Sequence, residues 1–220
     1  MTYTKSVSIA SMPRHDNFPT IQMLWRSYGL FGALGLASEL ITTRLLFPGA
    51  RLIRRPAHIR GRRWIDFGSR LTTGRGLRID ALGDESTRGK LICFGTDVSI
   101  NDYVHIGAVQ SVVIGDRVLM GSKVLITDHN HGSYGTQGKH SDPRIPPSAR
   151  PLVAAPVVIE DDVWIGEFVS VLPGVRIGKG SIIGTLSTVA RDIPPYCVAA
   201  GNPARVLKRY DLSSGQWNRE

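Results

Sequence analysis

Cysteines, acidic side chains in the first third of the chain, and long apolar runs are all scarce in these 220 residues. There are two cysteines, Cys93 and Cys197, far apart and in no metal or redox spacing. That excludes a disulfide-stapled secreted fold and leaves two reduced core thiols of a cytosolic protein as the expectation. The most hydrophobic N-terminal run, SYGLFGALGLAS at 27–38, has 12 residues between Arg26 and Glu39. A bilayer requires about 20, so no span is expected. The N-terminus also lacks the basic, apolar and small-residue succession of a secretory signal.

The charge is unevenly placed. Residues 1–64 hold 10 basic side chains against Asp16 and Glu39, so 8 of the 9 net positive charges sit there and the remainder is nearly neutral. Residues 21–47 read as a mostly apolar helix, followed by the basic strip RLIRRPAHIRGRRW. Residues 21–64 therefore suit a peripheral contact with an anionic membrane. A helix packed on a neighbouring subunit, with a solvated arginine collar, fits equally well. Nucleic acid is not expected as a partner, because no binding motif or aromatic platform accompanies the arginines.

The dominant signal is a step of six. In residues 158–193 an aliphatic side chain stands at Ile159, Ile165, Val171, Ile177, Ile183 and Val189. On a helix such positions differ by about 600° and form no stripe, whereas on a strand an even step keeps them on one face. Val163, Val169, Val175, Ser181, Ser187 and Ile193, four residues further on, share that face. The repeat continues backwards with breaks in register through Ile126, Met120 and Ile114, then Val104, Val98 and Ile92, then Leu77, Leu71, Ile65, Ile59 and Ile53. Short strands with frequent glycine turns that stack in this way build a β-solenoid. The expected division is a basic helical segment over 1–52, a β-solenoid over 53–201, and a C-terminal helix and tail over 202–220.

The largest interruption is TDHNHGSYGTQGKHSDPRIPPSARPLVAAP, residues 127–156. From Ile126 to Ile159 is 33 positions, not a multiple of six, so a loop is inserted between coils. Its glycines, prolines and three histidines mark it as a functional loop.

The motifs ITDHNHGSYG, RPLVAAPVVIEDDVWIG, VLPGVRIG, ARDIPP and VAAGNPARV, in that order over roughly residues 92–210, resemble the hexapeptide-repeat acyltransferases. The branch is that of the maltose and galactoside acetyltransferases and of the enzymes that acetylate lipopolysaccharide and capsule sugars. The resemblance implies an all-β fold, a left-handed parallel β-helix, assembled as a homotrimer. It also implies acetyl-coenzyme A as donor, bound between neighbouring subunits, a sugar hydroxyl as acceptor, and no metal.

Acetyl transfer to a hydroxyl needs a base, an oxyanion stabiliser and a grip on the coenzyme. By the resemblance His129 is the general base, with His131 as its alternate; Asp128 reads first as a turn former and second as an orienter of the imidazole. The residue after WIG, Glu167, lies near the thioester and offers its main-chain N–H. Trp164 either walls the cleft or simply packs. Thr185, Ala190 and Arg191 lie along the pantetheine arm, and Asn101 faces the acceptor sugar, with His105 behind it. Asn202 and Pro203 read as the start of a short helix that places Arg205 and Lys208 on one face for the coenzyme phosphate. Competing readings are a γ-type carbonic anhydrase using His105, His129 and His131 on zinc, an acceptor amine rather than a hydroxyl, and a silent scaffold. The zinc reading suffers from the single residue between 129 and 131, where that family has four.

Overall fold

The computed structural model describes residues 21–134 and 140–220, with the side chains of 21–25 excepted. Lys5 and Arg14 of the basic N-terminal segment lie outside the described residues. The described residues fall into two units, divided between Ser38 and Glu39.

The larger unit is a parallel solenoid with three faces, and from Ala57–Arg60 to Thr188–Val189 each strand moves to the next face, the inserted pair His129–His131 and Leu152–Ala154 aside. Face A stacks, in order, Thr72–Thr73, Ser99–Ile100, Leu119–Met120, Trp164–Ile165, Ile182–Ile183 and Cys197–Gly201. Face B stacks Ala57–Arg60, Leu77–Ala81, His105–Ala108, Leu125–Thr127, Ser170–Val171 and Thr188–Val189. Face C stacks Ile65–Asp66, Ile92–Phe94, Val112–Ile114, Val157–Ile159 and Arg176–Ile177.

Each step of six moves the chain to the next face, so three steps close a coil and return to the same face. Ile79, Ile106, Ile126, Val171 and Val189 pair rung by rung on face B, and all are buried. Burying each such aliphatic side chain contributes about 1.5–3 kcal/mol. The second set is buried too, including Ser181 and Ser187. Their hydroxyls are satisfied within the stack: Ser181 Oγ donates to Pro194 O (2.8 Å) and Ser187 Oγ to Gly184 O (2.6 Å).

Gly166 and Gly178 serve close stacking rather than turning. A Cβ on Gly166 would lie 2.7 Å from Thr185 N, and one on Gly178 2.4 Å from Pro195 N, in the next coil. The left-handed backbone at the edges is carried mostly by ordinary residues. At edge AB these are Tyr103, Lys123, Phe168 and Leu186; at edge CA they are Arg70, Asp97, Arg117, Asp162 and Tyr196. Each edge AB residue donates its N–H to the preceding coil, as Phe168 does to Ser122 O at 3.0 Å.

Three expectations change. The helix runs Ile21–Leu46, with a non-helical Gly29 inside it, and its Arg26–Leu46 portion is long and apolar enough to cross a membrane by length and composition. Glu39 does not end the apolar stretch: its carboxylate is buried and pairs with Arg75 at 3.2 Å, and the helix continues past it to Leu46. Thr43 fastens the helix end to the first coil by accepting the Ile53 N–H at 2.9 Å.

The second change is at the C-terminus, where residues 202–220 form no helix. Ala204–Asp211 turns back antiparallel onto Cys197–Gly201, and Gln216–Arg219 pairs with it in turn. A strand is favoured here because Cys197–Gly201 would otherwise expose an unpaired edge. The third is Cys93. It alternates with buried Ile92 and Phe94 and faces outward half-buried, while Cys197 is in the core; burial raises both thiol pKa values.

Candidate active site

The inserted segment leaves the solenoid at edge BC and folds back on itself. His129–His131 pairs antiparallel with Leu152–Ala154. Arg150 pins the far end by donating to Tyr134 Oη (2.5 Å), Ile145 O (2.8 Å) and Pro143 O (3.0 Å). The Tyr134 hydroxyl donates to the His131 carbonyl.

Asp128, at the root of this ribbon, is fully buried. Its carboxylate accepts the N–H groups of Val109 (2.9 Å), Gln110 (2.7 Å) and Ser111 (2.7 Å). It also lies 2.9 Å from His129 Nδ1. Three backbone donors fix the carboxylate, and the carboxylate in turn fixes the ring. That contact assigns the proton to Nδ1 and leaves Nε2 as the acceptor nitrogen. Thr127 Oγ1, 3.3 Å from Nδ1, donates to the His129 carbonyl at 3.2 Å. Asp128 is therefore both the turn former read from the sequence and the orienter placed second.

His129 and His131 open onto a cavity of about 440 Å³ on the outer surface of face B, within the usual range for a small-molecule site. Its floor is Gly107, where an added Cβ would stand 3.4 Å from His129 Cε1 and 3.9 Å from His105 Nε2. Its further walls are Arg60, Arg78, Asp80, His105 and Leu125. Asp80 accepts from Arg78 Nε at 2.7 Å and lies 3.2 Å from His105 Nε2. Burial opposes the Asp80 charge, but Arg78 and then His105 outweigh it and hold the carboxyl below its usual range.

The remaining expected residues lie elsewhere on the prism. Asn101 and Glu167 follow face A strands at edge AB, as does Thr185, whose Oγ1 donates to Glu167 O at 3.0 Å. The Glu167 N–H has no acceptor among the described residues. Trp164 is exposed on face A between Leu119 and Ile182. Arg205 pairs with Ala200, whose Cβ reaches within 2.8 Å of the Cβ position on Gly184, so it borders the same edge. Lys208 pairs with Val198. A register shift between these pairs restores the parity, so Arg205 and Lys208 do share a face, through a β-bulge rather than a helix. Ala190 and Arg191 follow Thr188–Val189 at edge BC, exposed.

A single copy thus carries Asn101, Trp164, Glu167, Thr185, Arg205 and Lys208 along edge AB and its flank on face A. His129, His131, Ala190 and Arg191 lie at edge BC. Face B separates the two sets. Among the described residues no three His, Cys, Asp or Glu side chains are arranged to hold a metal ion. Sequence reasoning missed Arg60, Arg78 and Asp80; their signal is polar residues at outward positions of face B, visible only once the coils are in register.

Comparison with known proteins finds the bacterial transferase hexapeptide model (six repeats) matching residues 156–191. The Escherichia coli K12 protein WbbJ, assigned to lipopolysaccharide biosynthesis as an O-acetyl transferase, is 44% identical over 199 residues, 90% of this chain and 99% of WbbJ. The galactoside O-acetyltransferase of the same organism is 35% identical over 54% of this chain and 55% of its own length. Among solved structures, a maltose O-acetyltransferase from Clostridium difficile 630 superposes with TM-score 0.54 at 28% identity, covering 68% of this chain and 72% of that one.

Proposed function

The chain belongs to the hexapeptide-repeat acetyltransferases, and from that membership we propose that it moves an acetyl group from acetyl-coenzyme A to a hydroxyl of a surface-polysaccharide sugar or its lipid-linked precursor. The observation that carries this is the fixed pair of Asp128 and His129 at the mouth of a sugar-sized cavity. His129 Nε2 takes the hydroxyl proton as the oxygen attacks the thioester carbonyl, with no acyl-enzyme. The Glu167 N–H, without an acceptor among the described residues, stabilises the oxyanion. Collapse of the adduct forms the ester, and the imidazolium returns its proton to the departing thiolate.

His129 and Glu167 lie at the two edges that flank face B. They meet when edge BC of one copy faces edge AB of the next, which is the reason to propose a homotrimer of left-handed coils with the site between copies. On the coenzyme side, Arg205 and Lys208 offer two cations to a phosphate. We also propose a cytoplasmic location with a peripheral membrane contact. It is supported by the exposed helix side chains Phe31, Leu34, Ile41 and Leu45 and by the arginines of 51–63.

The test is thiol release from acetyl-coenzyme A against a panel of sugars and lipid-linked oligosaccharides. Acceptor-dependent release with product bearing an O-acetyl ester is the expected result. Release confined to amino sugars, with an amide product, would move the reading to N-acetylation. No release with any acceptor would remove it.

A further inference from the structure

The cavity beside His129 adjoins a second hollow of about 340 Å³, and Arg60, Arg78 and Asp80 line both. The register explains why. Arg60, Asp80, Gly107 and Thr127 are successive partners across four strands of face B, with His58, Arg78, His105 and Leu125 in the neighbouring row. One groove therefore runs along the face from the histidine ribbon to the first coil. Three rungs separate Thr127 from Arg60, roughly 14 Å at the usual strand spacing. That span is longer than one hexose ring and suits a hexose with a phosphate chain on its anomeric carbon.

The charges in the groove are not balanced. Among the described residues Asp80 is the only acid lining either hollow, and it is engaged by Arg78 Nε and His105. Arg78 spends only its Nε there and remains 61% exposed. The Arg60 guanidinium has no ion pair, hydrogen bond or ring contact among the described residues, whereas those of neighbouring Arg62 and Arg63 lie over Phe47 and Trp64. An unmatched guanidinium in a concave groove, beside a second with free terminal nitrogens, is a fork for phosphate oxygens.

We propose that Arg60, with Arg78, receives a phosphate or diphosphate ester carried by the acceptor sugar, so that the substrate is an activated sugar rather than a free one. This rests on the acetyl-transfer reading for its acceptor, but the anion cradle has a readout of its own. Nucleotide-linked and lipid-linked sugars present the same diphosphate, and the assay separates them.

Acetyl transfer is compared on a neutral glycoside, the matching sugar 1-phosphate, the nucleotide-diphosphate sugar and the polyprenyl-diphosphate sugar. The expected result is preference for one or more charged acceptors. Arg60→Ala should raise their KM about tenfold and that of the neutral glycoside distinctly less, with the KM for acetyl-coenzyme A nearly constant. Arg144→Ala, which removes a guanidinium already paired to Asp142, should change none of these. Equal KM values for neutral and charged acceptors in the wild type, or equal effects of Arg60→Ala on both, would overturn the proposal.

Calorimetric titration with inorganic pyrophosphate gives the independent arm. Saturable binding weakened in Arg60→Ala supports the cradle even if no acceptor is acetylated, in which case only the transfer reading fails. Absence of binding, or binding lost in Arg205→Ala and kept in Arg60→Ala, refutes the cradle.

Discussion

Edges BC and CA of this prism use the same device for different ends. At edge CA, Asp116 accepts the Thr96 N–H at 2.7 Å, and Asp161 accepts the Asp116 N–H at 3.0 Å in the next coil. Each aspartate ties one turn to the turn before it. Around them Arg117 binds Asp162 at 2.6 Å and Lys179 approaches Asp161 and Asp162, all substantially exposed. At edge BC, Asp128 performs the same tie with three N–H groups, is fully buried, and holds an imidazole. What separates a structural turn from a candidate catalytic one is thus not the aspartate. It is the burial of the carboxylate and the histidine that follows it.

The sharpest way to break this contrast is His129→Ala, which should lower turnover by at least about 10²-fold while leaving coenzyme binding nearly intact. Steady-state kinetics with coenzyme titration reads both; unchanged turnover would shift the role to His131. Asp128→Asn should have a smaller catalytic effect, about tenfold, since the base remains but loses its orienter. The same variant should lose about 1–3 kcal/mol of stability in chemical denaturation, because an amide replaces a carboxylate facing three donors. Arg205→Ala tests edge AB: KM for acetyl-coenzyme A should rise about tenfold, and less for the dephospho form. Equal effects on both forms would argue against a phosphate contact. Smallest is Asp161→Asn, expected to cost less than about 1 kcal/mol, as an exposed and solvent-screened acid does, with no change in turnover. Were it as damaging as Asp128→Asn, the two edges would not differ as described.

The solenoid was legible where the step of six ran unbroken, because Ile159 through Val189 fall on consecutive strands, face after face, with no insertion between them. The site was legible only in part. His129 stood out by its surroundings in the motif, but the anchoring of Asp128 depends on the N–H groups of 109–111, which no local pattern joins to it. Arg60, Asp80, Gly107 and Thr127 share a row although 20, 27 and 20 positions separate them in the chain. Unequal coil lengths hide that alignment from any fixed period. The C-terminus misled for a related reason. A spacing of three between Arg205 and Lys208 is one helical turn, and it is equally two strand steps plus a bulge.

The tie at Asp128 also makes the site observable without coenzyme or sugar. An amide whose hydrogen is held by a buried anion trades it for deuterium only when that region opens. The exchange rates of Val109, Gln110 and Ser111 therefore report how often the ribbon lifts away from the prism, and so how long the imidazole keeps its place between turnovers.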